Sequence, residues 1–439
     1  MRTSRVQSAL LISLVTLGGL VPGVDAQENG PPTVIYAGSL IDGATDEARG
    51  AHTLVIVDGV IQSIEAGRGA PPPNAVVIDL SDQTVLPGLM DMHVHMLGES
   101  NPAAYLQRYT LNPADAALKG TVYARRTLEA GFTTVRDLGG EVTASRALRD
   151  AINRGDVAGP RMFIATGSLA STGGHGDPSN GLNARLSWQP TPSDGVVNSI
   201  DDARQAVRQR YKDGADWIKI TATGGVLSMA ASGQNSQFSV DEIRAIVDTA
   251  KDYGFSVAAH AHGTEGIKRA IRGGVATIEH GTFMDDEAFE LMKEHGAFLV
   301  PTISAGRFVA EKAAIPGYFP EVIRPKAASI GPISQSNFDR AHKAGVNIAF
   351  GTDCGVCPHG SNAKEFLYMV EGGMAPMKAI HSATSVTAKL LGIEDETGTL
   401  EVGKQADLIA VPRDPLRDVT ALQDVVFVMK GGRVYKSSP

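Results

Sequence analysis

Between about residue 87 and residue 391, short apolar runs alternate with amphipathic stretches eight times. The runs fall at 88–95, 132–136, 161–165, 217–221, 256–260, 276–279, 297–300 and 347–351. Their lengths are those of strands, not helices. Helix signals stand between them. Ser239-Val-Asp-Glu242 is a capping box leading into apolar Ile243, Ile246, Val247 and Ala250, with Gly254 as the stop. Asp285 to His295 repeats the idea and ends at Gly296. Eight such units over roughly 300 residues predict an α/β fold, a (β/α)8 TIM barrel. A doubly wound open sheet is the alternative. No Gly-x-Gly-x-x-Gly follows the early strands, and polar residues collect at many strand ends instead of one crevice.

The flanks differ. Val34-Ile-Tyr-Ala37, Thr53-Leu-Val-Ile-Val57, Val60-Ile-Gln-Ser-Ile64 and Val76-Val-Ile-Asp-Leu80 are short strands, and Asp58-Gly59 between two of them signals a hairpin. The pattern returns after Gly392, at Asp407-Leu-Ile-Ala-Val411, Val425-Val-Phe-Val-Met429 and Gly431-Gly-Arg-Val-Tyr435. Segments 27–86 and 392–439 are expected to pair into one small β-sandwich domain beside a barrel spanning 87–391. Residues 1–26 read as an export signal. Arg2 and Arg5 precede an apolar stretch from Ala9 to Val21, and Val24-Asp25-Ala26 offers small residues for cleavage. That stretch is short for a membrane span, so a cleaved signal is preferred over an anchor, with the mature chain periplasmic or secreted.

Hydrophobic residues at 43% and charged residues at 20% of 439 fit a soluble globular protein. A net charge of −8 and the lack of a basic run argue against nucleic acid or stable membrane association. The two cysteines, Cys354 and Cys357, are too few for a disulfide scaffold. Pro358 and Gly360 make their segment a loop, so local filling or an incidental disulfide is preferred over redox catalysis.

In a barrel the C-terminal strand ends converge on one mouth. His93 and His95 end the first strand, two residues apart and so on one face. Lys219 lies in the fourth strand, His260 ends the fifth, His280 follows the sixth and Asp353 the eighth. Each histidine alone reads as structural; together the six residues suggest a pair of metal ions holding a hydrolytic water. Lys219 sits in Ala215-Asp-Trp-Ile-Lys-Ile-Thr221, apolar on both sides. Burial favours its neutral, nucleophilic amine, which carbon dioxide converts to a carbamate able to bridge two cations. The alternative is an ion pair with Asp216.

These residues sit in motifs that resemble the amidohydrolase superfamily, over essentially all of the mature chain. The motifs are Pro87-Gly-Leu-Met-Asp-Met-His-Val-His95, Gly131-Phe-Thr-Thr-Val-Arg-Asp-Leu-Gly139 and Trp217-Ile-Lys-Ile-Thr-Ala-Thr-Gly-Gly225. They continue with Ala259-His-Ala-His-Gly263, Ile278-Glu-His-Gly281, Gly351-Thr-Asp353 and the run from Thr397 to Leu408. The branch is that of imidazolonepropionase-like proteins, bacterial Xaa-Pro dipeptidases and ochratoxin-degrading amidohydrolases. The resemblance implies that His93, His95 and Asp353 hold one metal, that His260 and His280 hold the second, and that carboxylated Lys219 bridges them. Two zinc ions are expected, with manganese, cobalt and iron left open. Asp353 becomes the catalytic residue, taking a proton from the attacking water and delivering it to the departing amine.

Substrate clues are thinner. His175, in Thr172-Gly-Gly-His-Gly176, matches a position that looks substrate-binding in this branch. His262 is assigned to substrate or the second layer of the site, and Gly224-Gly225 to backbone amides. Arg307 and Tyr368 are weaker candidates, and Arg136-Asp137 reads as an internal ion pair. The family pattern usually has a non-cysteine residue at Cys354, where this chain departs. The expected activity is hydrolysis of amide bonds in small molecules, either dipeptides or N-acyl amino acids with a free carboxylate, by a homo-oligomer. A cyclic-amide hydrolase and a non-catalytic binding protein on the same scaffold are the alternatives.

Overall fold

The computed structural model describes residues 30–230 and 232–438. The export signal read at residues 1–26 lies outside them. The strands are Thr33–Leu40 (β1), His52–Val57 (β2), Val60–Ala66 (β3), Val76–Pro87 (β4), Leu89–Val94 (β5), Phe132–Asp137 (β6), Arg161–Ile164 (β7), Ile218–Thr221 (β8), Val257–Ala261 (β9), Thr277–His280 (β10), Phe298–Val300 (β11), Asn347–Ile348 (β12), Leu408–Val411 (β13), Phe427–Lys430 (β14) and Arg433–Ser437 (β15). No helix among the described residues is long and apolar enough to cross a membrane.

The eight strands expected of a barrel are β5 to β12. They pair in parallel in two arcs, β5-β6-β7 and β12-β11-β10-β9-β8. The ladders do not run on into one closed barrel. Isolated backbone hydrogen bonds cross both gaps: Met92 N donates to Phe350 O at 2.9 Å and Asp353 N to His93 O at 2.7 Å on one side, Leu169 N to Lys219 O at 2.7 Å and Thr221 N to Leu169 O at 2.9 Å on the other. Alternation sorts the side chains of each strand. Ile218 and Ile220 join the apolar layer beneath the helices, as do Val257, Ala259 and Ile278. Lys219 and His260 turn to the other side, into a cavity, and His280, which shares the parity of Ile278, reaches it from left-handed backbone at the end of β10.

The helices begin and end where local chemistry requires. Helix Val240–Asp252 has Ser239 and Glu242 in a reciprocal capping box, and it buries Ile243, Ile246, Val247 and Ala250. Burying each branched side chain contributes about 1.5–3 kcal/mol. Helix Asp286–His295 starts at Asp285, whose side chain accepts from Ala288 N, and stops at left-handed Gly296.

One expectation changes. The short strand expected at Val76–Leu80 runs on to Pro87, and Pro87-Gly88 separates it from β5. A side chain at Gly88 would collide with Thr133, so the chain can pass closely here from β4 into β5 only with glycine. The β-rich ends do meet, in one continuous seven-stranded sheet of order β15-β14-β13-β4-β1-β2-β3, with Ile35, Leu54 and Ile61 in one buried cluster with Leu408, Phe427 and Met429. The cause is the 12-residue length of β4. It pairs in parallel with β1 on one side and antiparallel with β13 on the other, so one strand serves both ends of the chain.

Candidate active site

His93, His95, Lys219, His260, His280 and Asp353 all line one cavity of about 710 Å³, together with His175 and His262. Each ligand-type imidazole spends one nitrogen on the protein and keeps the other. His93 Nδ1 lies 2.8 Å from Glu279 Oε2, and His95 Nδ1 lies 2.7 Å from Gly139 O. His280 Nδ1 meets Thr302 Oγ1 at 2.8 Å. His260 is reversed: its Nε2 lies 3.0 Å from Gly224 O, leaving Nδ1. Because a carbonyl only accepts, Nδ1 of His95 and Nε2 of His260 carry the proton, and each partner nitrogen keeps its lone pair. At His95 burial is outweighed by the neighbouring Asp353, which raises the ring; burial holds the other three neutral, the form that ligates a metal. It pushes His93 down to about 4 and carries His260 and His280 well below the usual range.

Two sets of ligand atoms gather within 4.8 Å of one another: His93, His280 and Asp353 in one, and His260, His262 and His280 in the other. His95 Nε2 also approaches Asp353 Oδ1, at 3.3 Å. That buried oxygen has no hydrogen-bond partner among the described residues, a state that costs free energy unless a cation or water meets it. Asp353 and His280 both hold left-handed backbone, at φ 59° and 71°. Non-glycine residues adopt it at a cost of about 1–3 kcal/mol, typically where a site imposes it. The donor set and the orphaned oxygen fit divalent cations.

Lys219 is buried, and among the described residues it has no ion-pair partner. The alternative pairing with Asp216 fails, because Asp216 lies 3.0 Å from Arg149. Burial lowers the Lys219 amine to about 8, although Glu279 and Asp353 pull the other way.

Glu279, which the motifs did not single out, stands behind His93. Arg136 Nη2 donates to Glu279 Oε1 at 2.8 Å, with both side chains wholly buried. Burial raises the Glu279 carboxyl, but Arg136 and His93 outweigh it and bring it to about 2. A fixed negative charge therefore sits behind His93. The available signal was alternation: Thr277 and Glu279 occupy the inward positions of β10. Asp91 is a second such residue. It accepts from His93 N at 3.0 Å, Thr352 Oγ1 at 2.6 Å and Asn362 Nδ2 at 2.8 Å, clamping β5 to the segment that carries Asp353.

The substrate candidates separate. His175 reaches the cavity, stacks on His260 at 4.3 Å and is hydrogen-bonded to Ser228 Oγ. His262 reaches it as well, with Nδ1 held by Thr282 Oγ1 at 2.8 Å. Gly225 is not among the residues lining the cavity; a side chain there would strike the His175 ring, so glycine leaves that ring room. Gly224 N donates to Asn235 O. Arg307 and Tyr368 are outside the cavity. They stack on each other at 4.1 Å, and Arg307 pairs with Glu371, an exposed arrangement that long polar side chains form readily. Arg136 is the internal ion pair expected, but with Glu279.

An α/β fold of the TIM-barrel type with histidines, a lysine and an aspartate at its strand ends defines a hydrolase site. Residues 84–435 match the amidohydrolase family, and the chain belongs to it. Ochratoxinase of Aspergillus niger is 33% identical over 430 residues, which covers 92% of this chain and 86% of that protein. The solved structure of a Xaa-Pro dipeptidase with bound methionine in the active site aligns with a TM-score of 0.90 at 53% identity, covering 92% of this chain and 100% of that one. A prolidase complexed with N-methylphosphonate-L-proline aligns at 0.85 and 34%, covering 93% and 100%. The protein is an enzyme, a hydrolase acting on amide bonds.

Proposed function

We propose that this enzyme hydrolyses dipeptides and N-acyl amino acids whose leaving amino acid bears a free carboxylate, and that it does so with two divalent cations. His93, His95 and Asp353 would hold one, His260 and His280 the other, and carboxylated Lys219 would lie between them. Zinc suits these nitrogen and oxygen donors. When bound, the cations supply Lewis acidity that activates water and polarises the scissile carbonyl.

The residues do the rest. With its amine lowered to about 8, Lys219 presents more free base at neutral pH than an ordinary lysine. Its nitrogen bonds to the carbon of carbon dioxide and loses one proton, giving an anionic carbamate. Asp353 Oδ1 accepts the proton of the attacking water and returns it to the departing amine, because an amine anion leaves poorly. His175 and His262 offer ring N–H groups to the substrate carboxylate. Val226, Leu227, Val309 and Ile330 give the same cavity an apolar wall for a side chain.

One observation carries this reading: a buried lysine and a carboxylate oxygen, both without partners among the described residues, share a cavity with the imidazoles. The activities named for the ochratoxinase, prolidase and Xaa-Pro dipeptidase relatives support it. The export signal read at residues 1–26 would put the reaction in the periplasm or outside the cell. The test is metal analysis joined to a panel of X-Pro dipeptides and N-acyl amino acids. About two ions per chain and loss of turnover with a chelator are expected. Lys219→Ala should lower metal retention, and Asp353→Asn should lower kcat more than metal content. A single ion would favour a cyclic-amide hydrolase, and normal hydrolysis by both variants would refute the site.

A further inference from the structure

Cys354 and Cys357 are joined by a disulfide directly after Asp353. Among the described residues the Asp353 carboxylate has no side-chain hydrogen bond that fixes its direction, since its Oδ1 lacks a partner and its histidine contacts run only to 3.3 and 3.6 Å. Its position is therefore set by the main chain, which is itself strained at φ 59°. That main chain is bound on both sides. Upstream, Thr352 Oγ1 donates to Asp91 and accepts from Cys354 N. Downstream, the disulfide closes a turn in which Gly355 N donates to Cys357 O at 2.8 Å and Val356 N to Asp353 O at 2.9 Å. The same turn is fastened to the histidine strand: Cys354 O accepts from His95 N at 2.7 Å, and a side chain at Gly355 would strike His95.

We propose that the Cys354–Cys357 disulfide is a positioning device for Asp353, locking the turn that aims its carboxylate at His93 and His95. The inference rests on the hydrolase reading above. Both cysteines are buried, so the bridge is not laid out for exchange with solvent thiols. It spans too few residues to constrain the unfolded chain as a long-range bridge would. Its effect is local geometry, and a shift of about 1 Å at a reacting group can cost about a hundredfold in rate.

The experiment compares wild type with the C354A/C357A and C354S/C357S double variants, each loaded with cobalt in place of the native ions. The expected result is a fall in kcat of at least about tenfold with KM within about twofold. The visible cobalt spectrum should shift, amide exchange at 353–357 should quicken, and Tm should stay within about 4 °C. A purely structural bridge would lower Tm and leave kcat and the cobalt spectrum alone. Wild-type kcat in both double variants overturns the proposal, as do two free thiols in the unreduced, denatured wild type. If wild type cleaves no amide at all, the hydrolase reading fails; amide exchange at 353–357 then decides the positioning claim alone, and unchanged exchange overturns it.

Discussion

Glu279 has both oxygens committed, Oε1 to Arg136 and Thr277 and Oε2 to His93. Glutamine in its place would have to point its NH2 at either the guanidinium or the His93 N–H, so one donor always faces a donor. Breaking a buried pair in this way costs about 3–5 kcal/mol. Loss of the carboxylate behind a ligating histidine weakens metal affinity by about 10–100-fold. Glu279→Gln should therefore lower both thermal stability and metal retention against a competing chelator; if neither moves, the relay from Arg136 to His93 has no function. At this scale the sequence announced the imidazoles, because two-residue spacing and strand ends suffice to find them. It did not announce Glu279, whose partners lie 143 and 186 residues away. Arg307 and Tyr368 misled for the converse reason: their residue types suit substrate binding, but only tertiary structure reveals that they face solvent and each other.

Elements show how a hydroxyl committed to the site leaves its helix cap to another residue. Thr302 stands at the N-cap of helix Ile303–Ala313 but makes no side-chain cap bond. Its hydroxyl is turned to His280 instead. The cap comes from Glu365, on helix Lys364–Glu371, which accepts from Ile303 N at 2.8 Å and Ser304 N at 2.7 Å. Burial nevertheless pushes the Glu365 carboxyl up to about 7, against those amides. A carboxyl raised on folding binds its proton more tightly in the folded state. Its contribution to stability is thus complete below about pH 4.5 and is lost as pH climbs through 7, a change of about 3 kcal/mol. Glu365→Gln does not titrate, so the Tm of wild type relative to the variant should decline from pH 5 to pH 8. Parallel curves would contradict the assignment. The strands themselves were legible, since period-two burial and helix caps are local signals. The extension of β4 past Leu80 to Pro87 was not, because it follows from pairing with β13, which only the folded chain brings close.

For the whole molecule, the question is what makes barrel strands and the seven-stranded sheet one body. Apolar continuity is part of it: Ile409, Val411 and Val428 belong to the same buried cluster as Leu128, Phe132 and Ile278. The sequence showed that both ends are β-rich, but not that they share one sheet, since pairing partners across more than 300 residues leave no local trace. Polar fastening is the other part, and it centres on Arg161. From β7 this guanidinium donates to Asp407 Oδ2 at 3.0 Å, beside β13, and to Thr134 Oγ1 at 2.8 Å on β6. The Asp407 side chain is wholly buried, so its charge relies on that partner. Arg161→Ala would strand a buried carboxylate at the junction, a loss of about 3–5 kcal/mol. Because the apolar cluster is shared, the loss should appear as one cooperative transition moved to lower temperature or denaturant, with kcat retained below it, since Arg161 does not line the active-site cavity. Two separate transitions in calorimetry, or an unmoved single one, would show that the sheet and the barrel strands are not coupled through this contact.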